Sequence, residues 1–252
     1  MKFSLEICCY TVESASTAAK AGAHRVELCA GRLEGGTTPS AGYLHEAAFI
    51  DGISILPILR PRGGDFCYSD AEFRQMLYDL ELMRELGFPG VVTGILLPNG
   101  NADLHRLSML KQVAGDLEFC IHRAIDMSKN PLEALDQLID LGVKRVLSSG
   151  ARNTALEGLE LLEQMANKAN GRIEIMAGSG INAGQIEALW KIGIRHFHAS
   201  ASSHFPSPMQ FRNPLIAMGK EGDQDEYLRT EADPQKIKAM MEKLNDLNLV
   251  RS

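Results

Sequence analysis

Four segments of the chain share one phrase: a predicted helix ends in Gly, one or two residues follow, and a β-branched run begins. In AKAGAHRVELCA, RELGFPGVVTGIL, IDLGVKRVLSSG and WKIGIRHFHAS the glycines are Gly22, Gly87, Gly142 and Gly193. Each stands where a left-handed helix C-cap is wanted before a strand. Further apolar runs from Phe3 to Cys9, Ile53 to Arg60, Leu117 to Arg123 and Arg172 to Gly178 bring the predicted strands to eight.

Helix starts lie between these strands. Thr38-Pro39 and Asn130-Pro131 place an N-cap before a first-turn proline, and Ser69-x-x-Glu72, Asn130-x-x-Glu133 and Asn182-x-x-Gln185 have the capping-box spacing. Asp233-Pro234 opens a closing helix over about 234–247. Strand and helix alternating eight times predict an α/β fold, a (β/α)8 TIM barrel formed by residues 1–252 as a single domain. A doubly wound open sheet is the competing architecture, because alternation is easier to read from a sequence than closure. A long excursion after strand eight, Ala201 to Glu226, contains three prolines and two glycines with little periodicity. Such segments are lids, interfaces or disordered loops.

Alternation along each strand sorts its side chains between the helices and the barrel axis. Phe3, Leu5 and Ile7 need the apolar outer face, which turns Ser4, Glu6 and Cys8 inward. By the same parity Arg25, Glu27 and Cys29, then Cys120 and His122, then His196, His198 and Ser200 face the axis. The first two strands repeat Glu-x-Cys. In similar register, at a strand spacing of about 4.8 Å, Glu6 would neighbour Glu27 and Cys8 would neighbour Cys29. Two carboxylates that close cannot both ionise cheaply, so one should titrate high unless a cation answers them. Arg60 at the end of strand three is the cation this reading expects there. The bland alternative is an ion-pair network that merely fills the barrel; the number of convergent groups favours a site at the C-terminal mouth.

Glycine loops add an anion-binding expectation. Ser148-Ser149-Gly150 follows strand six and Gly178-Ser179-Gly180 follows strand seven, the usual position of a phosphate or carboxylate cradle in barrels. With Ser200, and with Arg60 and Arg62 in RPRGGDF, they could hold a small anionic molecule.

Composition narrows the partners. Against 26 basic residues stand 32 acidic ones, a formal net charge of −6, with no basic aromatic surface of the kind nucleic acids need. Glu6 interrupts what would be the apolar part of a secretion signal, and no apolar run is long enough for a bilayer. The expectation is a cytoplasmic protein acting on neither nucleic acid nor membrane. Its five cysteines, Cys8, Cys9, Cys29, Cys67 and Cys120, include no CxxC pair and would be thiols in a reducing compartment.

The phrases LEICCY, RVELCA, EGGTTPS, RPRGGDFCYS, LGFPGVVTG, HRAIDM, RVLSSG, IMAGSGI and SPMQFRN, in that order, closely resemble the CutC copper homeostasis proteins over nearly the whole chain. Departures such as Thr37 and Ile125 touch no candidate ligand. The resemblance implies a TIM barrel, a cytoplasmic homo-oligomer, and copper handling through cysteines that fall here on Cys8 and Cys29. Soft Cu(I) favours such thiolates. A second reading is an epimerase, isomerase or lyase acting on a phosphorylated or carboxylated substrate. In it Glu6 and Glu27 are acid and base, His122 and His198 shuttle protons or polarise, and Arg60 with the glycine loops holds the anion. A hard divalent ion on Glu6, Glu27, His122 and His198 is its variant, with His196-x-His198 as an added hint. A third reading makes the protein a scaffold that works through its surface and the excursion.

Overall fold

The structure, a computed structural model, describes residues 3–213, 215–216 and 225–249. Eight parallel strands alternate with helices: β1 (Ser4–Cys9), α1 (Val12–Lys20), β2 (Arg25–Leu28), α2 (Ala41–Ala47), β3 (Ser54–Pro57), α3 (Asp70–Glu85), β4 (Gly90–Thr93), α4 (Leu104–Ala114), β5 (Glu118–Ile121), α5 (Pro131–Asp140), β6 (Arg145–Ser148), α6 (Leu159–Ala169), β7 (Glu174–Ala177), α7 (Ala183–Lys191) and β8 (His196–Ala199). Their order β3-β2-β1-β8-β7-β6-β5-β4 makes a ring. The bridge Ile58 to Val92 joins its two ends, with the Leu59 N–H donating to the Val92 carbonyl at 2.7 Å. The fold is a (β/α)8 barrel rather than an open sheet.

The helix-to-strand joints follow from backbone chemistry. Gly22, Gly87, Gly142 and Gly193 all take φ between 74° and 94°, where a Cβ would clash with the following carbonyl. Asn130 caps α5 ahead of Pro131, and Ser69 with Glu72 closes a reciprocal capping box on α3. The cap of α2 differs from expectation. Ser40, not Thr38, accepts the N–H of Tyr43, because the Thr38 hydroxyl is taken up by the backbone of Arg60.

Leu5, Ile7, Val26, Leu28, Phe119, Val146 and Phe197 are buried between barrel and helices, in one apolar cluster with Leu80, Leu135 and Leu189. Inside the barrel Leu56, Val92 and Cys120 form a small separate apolar cluster, and buried charged side chains lie beside Ile58, Leu147 and Met176. Arg145 is 3% exposed and pairs with Glu174 at 2.6 Å and Glu118 at 3.4 Å.

Register departs from the simple expectation for the first two strands. Glu6 lies opposite Arg25 and Cys8 opposite Glu27, a stagger of two residues. Closure into a barrel demands a tilted sheet with a fixed shear, so equivalent positions on neighbouring strands do not sit level.

After β8 the chain does not run irregularly as expected. Strand β9 (Ser202–Pro206) pairs antiparallel with β10 (Leu228–Ala232), just beyond the predicted limit of the excursion. Positions 214 and 217–224 of that excursion lie outside the described residues. The pair is tied to the barrel through α1: Glu231 accepts from the hydroxyls of Thr11 and Ser14, and the Ala232 N–H donates to Ser14 Oγ at 3.0 Å. Helix α8 (Pro234–Leu249) then closes the ring of helices against α7 and α1, slightly longer than predicted.

Replacing Ser69 by Ala removes the hydroxyl that accepts the Glu72 N–H and leaves the backbone half of the α3 capping box in place. It should lower stability by about 1 kcal/mol, read as a shift of the urea unfolding midpoint at unchanged slope.

Candidate functional site

A continuous line of polar side chains climbs from the barrel interior to the mouth. Glu6, 1% exposed, pairs with the Arg25 guanidinium on one side. On the other side its Oε1 meets Nδ1 of His198 at 2.8 Å. The opposite ring nitrogen of His198, Nε2, faces Glu27 Oε2 at 3.6 Å. Two residues beyond Glu6 on β1, Cys8 Sγ stands 3.7 Å from Cys29 Sγ. Glu6 and Glu27 thus share His198 rather than touching each other, because the strand stagger places Arg25 and not Glu27 beside Glu6. Arg60 is not their counter-ion; Arg25 holds that position.

The electrostatics follow from this order. Burial raises the Glu6 carboxyl, but Arg25, His198 and Arg145 outweigh it and hold the group well below the usual carboxylate range. Burial and the nearby Cys8 sulfur push Glu27 up to about 8. His198 loses stability as a cation through burial, yet its bonds to Cys8 and Glu6 and the charge of Glu27 lift it well above the ordinary imidazole value. Hydrogen bonding from Cys29 lowers the Cys8 thiol despite burial, whereas burial and Cys8 itself raise Cys29. Of the two thiols, Cys8 is thus the one whose proton is more readily lost.

Arg60 and His122 wall a cavity of about 120 Å³ with Cys8, Glu27, Phe66 and His198. His122 sits at the end of β5, and its Nδ1 accepts the N–H of Ala124 at 3.1 Å. Nε2 has no hydrogen-bond partner among the described residues. Burying such a donor unpaired costs about 1–3 kcal/mol. Burial and the Arg60 charge push His122 down to about 3, so the ring is neutral at physiological pH. Gly94 makes room for it, since a Cβ there would come within 2.6 Å of His122 Cε1.

The expected anion loops are placed differently. Asp126, in the one-turn helix after β5, inserts its carboxylate where the phosphate was expected. It accepts from Ser148 Oγ at 2.6 Å, from the Ser149 N–H at 2.9 Å and from the Ala151 N–H at 3.1 Å. Ser148 and Ser149 are therefore spent on the chain's own anion. Ser179 donates its hydroxyl to the Asn153 carbonyl, and Gly178 gives Leu147 and His198 the room they occupy. Ser179, Gly180 and Ser200 border a second cavity of about 230 Å³ that shares Cys8, Tyr10, Arg123 and His198 with the first. Arg62 lies outside both, paired with Asp65 at 2.9 Å and Glu72 at 2.6 Å.

The expected divalent set is not assembled either. Among the described residues the metal-capable grouping at this site is Cys8, Glu27 and His198, with ligand atoms within 4.8 Å of one another. Glu6 is committed to Arg25, and His196 is level with Ser4, whose hydroxyl meets its Nδ1 at 2.8 Å. Two residues along a parallel strand separate it from the level of His198.

Sequence reasoning underrated Arg25, already known to face inward, and missed Arg145, which strand parity could have found because Val146 needs the outer face. Asp126, Phe66, Tyr10 and Arg123 come from loops, where parity gives no signal.

The sequence profile of the CutC family matches residues 3–203. The chain belongs to the CutC family. A CutC family protein of Pectobacterium atrosepticum is 46% identical over 94% of this chain and 93% of that protein. A Salmonella newport family member is 47% identical over 89% and 90%. A solved CutC structure from Streptococcus agalactiae, assigned there provisionally to copper homeostasis, is 33% identical with a TM-score of 0.75, covering 79% of this chain and 99% of that chain. Thiamine phosphate pyrophosphorylase from Pyrococcus furiosus, 14% identical with a TM-score of 0.59 over 97% and 96%, shares the fold alone. Within this CutC chain no helix of the described residues is long and apolar enough to cross a membrane.

Arg25→Met strands the buried Glu6 charge and should destabilise the fold by about 3–5 kcal/mol, measured by denaturant unfolding at neutral pH. A second expectation concerns acidification. His122 binds its proton less readily folded, near 3, than at the ordinary value of 6.5. The stability this supplies is complete above 6.5 and is lost as pH falls toward 3, at up to about 1.4 kcal/mol per unit. Unfolding free energies from pH 7 to 4 should fall less steeply in His122→Phe than in the parent.

Proposed function

We propose that this protein takes part in cytoplasmic copper homeostasis by holding Cu(I) between Cys8 and Cys29. The observation that carries this reading is the 3.7 Å approach of the two sulfurs, with Cys8 lining the mouth cavity and Cys29 buried behind it. Cu(I) is soft and prefers thiolates. Binding it at this pair releases the protons the two sulfurs carry. Chain geometry supports the pair: Cys8 is on β1, Cys29 directly follows β2, and Gly36 leaves the Cys29 sulfur its space, a Cβ there falling 3.3 Å from Sγ.

The alternative triad of Cys8, Glu27 and His198 suits a harder ion less well. His198 turns Nδ1 to Glu6 and Nε2 toward Glu27, so neither ring nitrogen presents a free lone pair. In the copper reading His198 stays a donor that faces the sulfur and balances its charge. Copper is cargo here. Cys8, the less buried of the two and part of the cavity wall, is the sulfur from which an incoming ligand could collect it, while Cys29, 1% exposed, anchors the ion from inside.

Competition between reduced protein and a Cu(I) chelator should give one ion per chain. A change beyond the ligand shell already costs about 10–100-fold in metal affinity, so Cys8→Ser and Cys29→Ser should each lower it by at least about 100-fold. Cys67→Ser, outside the mouth, should leave it unchanged. Equal affinity in all four proteins would remove the cysteine pair from the function.

A further inference from the structure

We propose that the part of the mouth cavity walled by Arg60, His122 and Arg123 binds a small organic carboxylate carrying a second oxygen on the neighbouring carbon, a 2-oxo or 2-hydroxy acid. This goes beyond copper and uses neither sulfur.

Arg60 supplies the first reason. It is 5% exposed, and its Nη1 donates to the carbonyls of Glu34 and Gly36, both at 2.7 Å, while Nη2 donates to that of Gly64 at 2.8 Å. Carbonyls satisfy hydrogen-bonding capacity but not charge. Among the described residues no carboxylate forms an ion pair with this guanidinium; the neutral Tyr68 hydroxyl lies near it, and its buried Nε has no well-formed hydrogen bond. Buried charges in proteins are ordinarily matched, so an anion is wanted beside it.

His122 specifies the rest of the ligand. Because Nδ1 accepts from the Ala124 N–H, the ring proton sits on Nε2, which is buried and donates to no described residue. Unsatisfied buried donors are rare enough in native proteins to need a reason. A fixed, neutral N–H suits an uncharged carbonyl or hydroxyl oxygen better than a second negative charge. Phe66 provides an apolar wall for a short carbon skeleton, its ring 4.8 Å from that of His122 and 5.0 Å from the Arg60 guanidinium carbon.

Arg123 stands at the junction of the two cavities, 41% exposed at its side chain. It spends Nε on Asp126 and Nη2 on Ser149 and Arg152. Nη1 donates to no described residue, and can meet the carboxylate from the solvent side. A phosphate fits this arrangement less well, because the serine loop that would cradle it already encloses Asp126. The carboxylate head and adjacent oxygen therefore match one guanidinium wall and one imidazole N–H.

The test uses metal-free, reduced protein labelled with ¹⁵N-histidine and followed by NMR, with pyruvate, lactate, acetate and inorganic phosphate as probes. Loss of one resonance in His122→Phe assigns its Nε2. Pyruvate or lactate should shift that resonance saturably at millimolar concentration, acetate should bind more weakly, and phosphate should leave it unmoved. The phenylalanine variant should bind the preferred acid about tenfold more weakly, with circular dichroism confirming its fold; if it unfolds, Phe66→Ala supplies the second variant and the wild-type shifts already decide. No saturable shift from either two-oxygen acid, equal binding of phosphate, or undiminished affinity in a folded His122→Phe would each overturn the proposal.

Discussion

An ion pair closed off from water, Glu6 with Arg25, sets the polarity of everything mouthward of it. A lone carboxylate in the barrel interior would bind a proton; with Arg25 beside it and Arg145 further off, it stays charged. That fixed charge orients His198, which carries the polarity on to Glu27 and Cys8. Each member of the line satisfies the next, so the sulfur pair at its end is held in a defined place and charge state. Replacing any interior member by an apolar group would leave a neighbour buried without its partner, a larger loss than the pair itself supplies.

Two kinds of chemistry then face one cavity. Cys8 and Glu27, on β1 and β2, form a soft, acidic region; Arg60, His122 and Arg123 come from the ends of β3 and β5 and the following loops and form a donor-rich one. The loops above strands six to eight are held in backbone conformations that ordinary residues avoid. Ala151, Ser179 and Ala201 all have positive φ, at 55°, 78° and 42°. Such strain costs on the order of 1–3 kcal/mol per residue and is retained where surrounding contacts over-determine it. Here those contacts are the Asp126 carboxylate under Ala151, the Asn153 carbonyl on Ser179, and the Asp233 N–H on the carbonyl of Ala201.

The hairpin of β9 and β10 has a related role. Through Glu231 and Ala232 it ties the segment after the last barrel strand to the N-terminus of α1, which follows directly on the strand carrying Cys8. First and last barrel strands pair through the register Glu6 to His198, so this brace spans the seam on which the polar line is built.

What the sequence determined by itself was the alternation of strands and helices and the face of each strand that carries chemistry. Both are local: a glycine needs positive φ where it stands, and parity along a strand is fixed by its own apolar residues. Parity was enough to turn Glu6, Cys8, Glu27, Cys29, His122 and His198 inward. Which of those groups meet was decided only by closure, because barrel shear moves neighbouring strands past each other and gives Glu6 to Arg25 and Cys8 to Glu27. Loop side chains were beyond reach for the same reason. Asp126 fills the serine loop and Arg60 turns to the carbonyls of Glu34 and Gly36 through contacts distant in sequence, and no local pattern encodes a partner that the fold itself brings near.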